Sequence, residues 1–241
     1  MPWYDTTVDQ LESDKIYSHN SLITLLRKYN PDVKESSYNW AITGMIKGGI
    51  ITKRGYDEYS LSDDKDKPVF SPSYSELSQS IIGSVENNYP LIRFTVFETV
   101  LLNEFLNHLI AQNTIFVQVE KNVSIFVFRY LQEAGYDNVL YRPSKQDFSL
   151  YWNRDMIVVT DLISEAPIKS ADPHSISLEK MLVDIISDKC IQSSYSGAEY
   201  KNIISQAMGR YSVDVKKMLR YARRRNNEAY INDFIQTTPL Q

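Results

Sequence analysis

Ser36, Ser37, Asn39, Trp40, Thr43 and Lys47 are the residues whose types and spacing most plainly suit chemistry with another molecule. Ser36, Trp40, Thr43 and Lys47 stand at i, i+4, i+7 and i+11, which is one face of a helix, with Ser37 and Asn39 beside them. Short hydroxyls and an amide bond phosphate oxygens or base edges, so this face suits a DNA groove. Lys53 and Arg54 follow closely. From Lys15 to Arg54 seven basic residues (Lys15, Arg27, Lys28, Lys34, Lys47, Lys53, Arg54) face two acidic ones (Asp32, Glu35), in a chain of net charge −4. Phosphate contact needs such a local excess. Trp40 has two readings: packing against a neighbouring helix, or touching DNA.

A second basic feature lies near the other end. Between 201 and 225 eight basic residues stand against Asp214. Lys216, Arg220 and Arg224 are spaced i, i+4, i+8, with Lys217 and Arg223 adjacent, and they predict a positive stripe along a helix. The stripe reads either as a solvated face paired with acids elsewhere or as a second contact to DNA or an acidic partner.

Catalytic signals are weak by comparison. The eight glycines are scattered, with no phosphate-cradling G-x-x-x-x-G-K loop and no G-x-S-x-G elbow. Cys190 is the single cysteine and is expected to be a buried small apolar residue. His19, His108 and His174 lack metal-ligand spacing, so neither a structural metal nor a cofactor is expected. The best enzyme hypothesis is a metal-dependent nuclease built on Glu120, Lys121, Asp147, Asp155 and Asp161, since acids and a lysine hold Mg²⁺ and activate water. Against it, Glu120 and Lys121 are adjacent and on a strand would point to opposite sides. Glu98 and His108, ten residues apart on an expected helix, fall on different faces.

The elements that position these residues follow from periodicity and caps. Residues 15–17 are a short strand, and Ser18 caps a helix with Leu22, Leu25, Leu26 and Tyr29 on one face. Asn30-Pro31-Asp32 is a turn. Residues 36–47 form a second helix with Tyr38, Ala41, Ile42, Met45 and Ile46 inward, ended by Gly48-Gly49. Residues 50–52 and 59–61 alternate as strands around Lys53-Arg54-Gly55. Together these predict a winged helix-turn-helix over 1–67, an arrangement that presents a helix to the major groove. Residues 62–68, polar and ended by proline, read as a domain edge.

Residues 74–241 predict a mixed α/β domain ending in a helical segment, so the whole is α+β. Helices are expected at 75–87, 97–111 and 123–134, and strands at 91–96, 115–119 (central), 138–141, 147–151 and 156–160. Ser177 caps a helix carrying Leu178, Met181, Leu182, Ile185 and Ile186. Further helices run from 197 to 208, from a Ser212 cap to about 225, and from 228 to 235. The 241 residues suffice for two modest domains, and 43% hydrophobic with 23% charged residues is ordinary for a globular protein. No apolar run approaches a membrane span of about 20 residues. The opening Met1-Pro2-Trp3-Tyr4-Asp5 lacks a basic, apolar leader and a lone Cys190 allows no intrachain disulfide, so a cytoplasmic protein is expected.

The order of parts, with Ser177-Leu178-Glu179-Lys180-Met181-Leu182-Val183-Asp184 opening a helix and basic Tyr221-Ala222-Arg223-Arg224-Arg225 following, resembles the bacterial abortive-infection AbiE-type antitoxins. The resemblance implies a regulator that binds inverted repeats upstream of its own operon. It also implies a partner, a nucleotidyltransferase-type toxin encoded nearby, counteracted through residues 74–241. By position, the DNA-reading elements would be residues 36–47 with Lys53 and Arg54. Trp40 is bulky for a groove-facing position, a departure that bears on how deeply the helix enters. Beside this non-enzymatic reading stand a winged helix that binds only protein and the nuclease. Either a monomer or a dimer fits the sequence.

Overall fold

The structure is a computed structural model that describes residues 3–12, 15–47, 50–61, 67–169 and 172–237, with the side chains of 5, 47, 236 and 237 left aside. Gly48-Gly49, the Lys47 side chain and most of the expected linker, 62–66, lie outside the described residues.

The first unit contains α1 (Asp5–Val8), β1 (Ile16–Tyr17), α2 (His19–Tyr29), α3 (Glu35–Lys47), β2 (Ile51–Gly55) and β3 (Glu58–Leu61). Ser18 starts α2 by accepting from the Ser21 amide at 3.1 Å. The three strands form an antiparallel sheet in the order β1-β3-β2. Leu22 and Leu26 of α2 and Tyr38, Ala41, Ile42 and Met45 of α3 are buried, and with Tyr4, Tyr17, Ile51 and Tyr59 they make one core. Tyr29 is instead exposed. Lys53-Arg54-Gly55, expected as the turn, belongs to β2, and the chain reverses at Tyr56-Asp57. Asp57 takes the left-handed conformation there (φ 57°), and its carboxylate accepts from the His19 amide at 2.8 Å.

The second unit is a sheet between two helical layers. Its elements are α4 (Glu76–Asn88), β4 (Phe94–Glu98), β5 (Thr114–Val119), α5 (Ser124–Glu133), β6 (Val139–Tyr141), α6 (Lys145–Tyr151), β7 (Met156–Asp161), α7 (Leu178–Ser187), α8 (Lys189–Gln192), α9 (Tyr200–Arg210), α10 (Val215–Arg224) and α11 (Glu228–Thr237). The strand order is β4-β5-β7-β6. β4 is antiparallel to β5, while β5, β7 and β6 run parallel. Strand β5 is central and buried throughout, as its nearly continuous apolar run, broken at Gln118, requires of a strand covered on both faces. Val117, Val119, Ile157 and Val159 face α4 and α5. Phe116, Met156 and Val158 face the C-terminal helices, where Met181, Leu182, Ile185, Ile204 and Met218 meet them.

Three further expectations, all in the second unit, are corrected. The helix over 97–111 is absent: Phe97 and Glu98 continue β4, because each residue from Phe94 to Glu98 pairs with β5. A short 3₁₀ turn, Thr99–Glu104, follows, and Asn103 closes the loop through its two hydrogen bonds with Ile110. Glu98 is fully buried and accepts from Ser75, Ser78 and Asn113 at 2.7–2.8 Å, while His108 is exposed, so the two share no helix. Residues 147–151 are helix, not strand, because Ser144 and Asp147 cap each other reciprocally. Helix α10 is capped by Asp214, whose carboxylate accepts from the Lys217 amide, rather than by Ser212.

Candidate nucleic-acid interface

The polar residues of α3 lie where the helical spacing puts them. Burying Tyr38, Ala41, Ile42 and Met45 leaves Ser36, Asn39, Trp40 and Thr43 exposed, with Ser37 half-buried at the edge. The Thr43 hydroxyl donates to the Asn39 carbonyl at 2.9 Å, which still leaves its oxygen lone pairs to accept. Trp40 is 64% exposed and makes an edge contact with Tyr4, ring centroids 6.4 Å apart. Tyr4 reaches α3 because Gly44 leaves room: a Cβ there would lie 2.8 Å from the Tyr4 hydroxyl. Most of the Trp40 ring therefore faces outward.

The cations divide into engaged and solvated groups. Arg27 pairs with Glu35, and Lys15 with Glu12 at 2.9 Å. Lys28, Lys34 and Lys53 are exposed. Arg54 is exposed and its Nε donates to the Ser60 hydroxyl at 2.9 Å, which fixes the side chain on the hairpin. Tyr56, 99% exposed, is an aromatic ring presented at the hairpin tip, a feature that sequence reasoning did not single out.

The stripe on α10 is exposed at Lys216, Lys217, Arg220, Arg223 and Arg224. Lys217 pairs with Asp214 at 3.2 Å, and Arg223 forms a bidentate pair with Glu228 at 2.7 Å. Arg224 donates through Nε to Ser164 at 2.6 Å. Part of the stripe is thus matched locally, while Lys216 and Arg220 meet no carboxylate among the described residues.

The acids of the nuclease hypothesis are dispersed in part. Asp147 caps α6 and Asp155 sits in a left-handed turn (φ 56°) before β7. Glu120 and Lys121 fall just past the end of β5 rather than on it, so strand alternation does not govern them, and both line one cavity together with Asp161. Among the described residues no three His, Cys, Asp or Glu side chains gather as ligands for a metal ion. Cys190 is buried, and burial pushes its thiol up to about 11, far from a reactive thiolate at neutral pH.

The largest surprise is a charge cluster inside the second unit. Lys180 and Asp184, i and i+4 on α7, are fully buried and pair with each other. Lys180 also donates to the Gln118 side chain from β5. The Gln118 amide and the Tyr221 hydroxyl donate to Asp184 at 3.2 and 2.8 Å, and the Arg225 guanidinium lies 3.7 Å from it. Burial alone would raise the Asp184 carboxyl, but Lys180, Arg225 and these hydrogen bonds overrule it and hold it below the usual range. The cluster joins the sheet to α7 and α10. Its signal in the sequence was the apolar surround: Met181-Leu182-Val183 and Ile185 leave no water-facing side for charges between them.

No helix among the described residues is long and apolar enough to cross a membrane. No curated protein matches the chain. Residues 37–241 match DUF6577, a family of unknown function, and the chain belongs to that family.

Proposed function

We propose that this chain is a DNA-binding transcriptional regulator and that residues 3–61 form a winged helix-turn-helix. The observation that carries the reading is the outward face of α3, where Ser36, Asn39, Trp40 and Thr43 stand exposed, in the same unit as a hairpin bearing Lys53 and Arg54. The order helix, strand, two helices and a hairpin, with β1 closing the sheet, supports it. Asn39 suits the N6 and N7 edge of adenine, and a good bidentate pair of that kind discriminates by about 1–3 kcal/mol. Lys53 and Arg54 on the hairpin supply phosphate contacts, which position the helix without reading sequence.

In its most specific form the reading is that of an antitoxin. The resemblance of the segment 177–184 to AbiE-type antitoxins supports a cytoplasmic protein that represses its own operon. In this form it reads inverted repeats as two copies, and residues 74–241 counteract a nucleotidyltransferase-type toxin encoded alongside. Selection of bound duplexes from a randomised pool tests the DNA-reading claim. The expected outcome is enrichment of one motif in inverted repeat. A pool that stays random after successive rounds at physiological salt contradicts it. Co-expression with the neighbouring gene product tests the antitoxin form separately, with rescue of growth expected.

A further inference from the structure

We propose that the cavity at the carboxyl ends of β5 and β7 binds a mononucleotide, with its phosphates on Lys121 and Arg224. The cavity measures about 450 Å³, within the range of small-molecule clefts. It opens where β5 ends at Val119 and β7 at Asp161, which are register partners in the parallel pair. Ligands of open α/β sheets sit outside these strand ends.

The charges within the cavity are unevenly satisfied. Glu120 is paired with Arg93 at 3.4 Å. Asp161 is paired with Arg142 and accepts from the Ser124 hydroxyl at 2.6 Å. With these acids neutralised, the charged groups left over are the cations Lys121 and Arg224 and the exposed carboxylate of Glu165, so the cavity keeps an excess of positive charge. Lys121 is exposed and has no carboxylate partner among the described residues. Arg224 is held over the cavity by the bond from its Nε to Ser164, and its terminal nitrogens make no hydrogen bond among the described residues. Its planar fork is suited to bidentate recognition of phosphate. The turn through Lys121 and Asn122 (φ 78°) leads into α5, whose start has no side-chain cap, so its first amides add positive potential to the same end of the sheet.

Apart from Ser164 and Glu165, the remaining wall is apolar, from Leu162, Ile163, Ala166 and Ile168. An apolar wall beside two solvated cations fits an amphipathic organic anion, a flat base carrying phosphate, better than a bare inorganic ion. Neither Lys121 nor Arg224 belongs to the DNA-reading face of the first unit, so the inference does not rest on that reading.

Calorimetry on the full chain with each of ATP, GTP, CTP and UTP in EDTA tests it, with the corresponding nucleosides, inorganic triphosphate and a short single-stranded DNA as controls. At least one nucleotide is expected to bind at micromolar to submillimolar concentration. Its nucleoside and inorganic triphosphate are each expected to bind at least about tenfold more weakly, since each supplies half of the contacts. The double variant Lys121→Ala, Arg224→Ala should weaken the nucleotide by about tenfold or more while melting at the wild-type temperature, because both residues are exposed. No nucleotide binding at millimolar concentration overturns the proposal. So does inorganic triphosphate or the DNA strand binding as well as the best nucleotide, which would make the site a general anion patch. Unchanged affinity in the double variant would place the nucleotide elsewhere and overturn it equally.

Discussion

Helix α3 keeps its polar residues in water, and helix α7 keeps two charges out of it. Both helices are of ordinary length and both carry hydroxyl and charged residues, so composition does not separate them. The surroundings do. One side of α3 meets a single small core, and the other side, with Ser36, Asn39, Trp40 and Thr43, meets solvent. Helix α7 is packed between the sheet and the other C-terminal helices, and Lys180 and Asp184 are held by each other, Gln118, Tyr221 and Arg225 rather than by water. The lesson is that the same residue types serve recognition when solvated and architecture when enclosed. Substitutions in the two helices should therefore fail in opposite assays.

The widest gap is expected for the buried pair. Lys180→Ala leaves Asp184 with the Arg225 guanidinium at 3.7 Å and should cost less than Asp184→Ala, which strips the buried Lys180 of its carboxylate and should cost about 3–5 kcal/mol. For a unit of this size that is a fall in melting temperature of about 10 °C. The volume-matched double change Lys180→Met, Asp184→Leu should recover much of the loss, since it removes both charges together. Thermal melts decide this, and single variants that melt like wild type would remove the distinction between the helices.

Acid should act on the same cluster. The Asp184 carboxyl is held below its ordinary value of 3.8 in the folded chain, so the stability it contributes is complete above that value. It is lost as pH falls from there through the folded pKa, where proton uptake favours the unfolded state. Denaturant titrations between pH 6 and pH 2 should show the acid loss shrink in Asp184→Asn, whose stability is lower but flatter with pH. An identical pH slope in both proteins would show that the carboxyl is not ionised inside.

On the other helix the effects should fall on binding. Asn39→Ala and Trp40→Ala are expected to leave stability within about 0.5 kcal/mol, as exposed substitutions do. Each should cost about 1–3 kcal/mol in binding to a selected duplex if it reads a base edge. Lys53→Ala should weaken all duplexes alike and flatten the salt dependence by about 0.9 in the log–log slope. Smallest of all, Cys190 should react slowly with a thiol reagent in the folded chain and at the ordinary rate once unfolded, because it is buried with its thiol pushed up to about 11.

The difference between the regions also explains what could be read in advance. The first unit was legible because its signals are local: the Ser18 cap, the spacing of Tyr38, Ala41, Ile42 and Met45, and short alternating strands. The polar face of α3 followed from the same spacing. In the second unit the strands at 115–119 and 156–160 were legible as apolar runs. The segment 97–111 was not, because its apolar residues satisfy helical spacing while strand pairing with β5 decides Phe97 and Glu98. Residues 147–151 carry competing signals: Phe148 and Leu150 alternate as in a strand, while the Ser144–Asp147 capping box starts a helix and decides the outcome. The cavity joining Glu120, Lys121, Asp161 and Arg224 depends on segments more than a hundred residues apart, which no local pattern relates.

The central claim is that α3 and its hairpin read duplex DNA. Fluorescence anisotropy with the duplex upstream of the gene and with a scrambled control, at two salt concentrations, tests it most directly. The full chain should be compared there with the variant Asn39→Ala, Lys53→Ala, Arg54→Ala. The account predicts tight binding to the upstream duplex, weaker binding to the control, and loss of the preference in a variant that still folds. Equal binding to both duplexes, or a variant that keeps the preference, would contradict it.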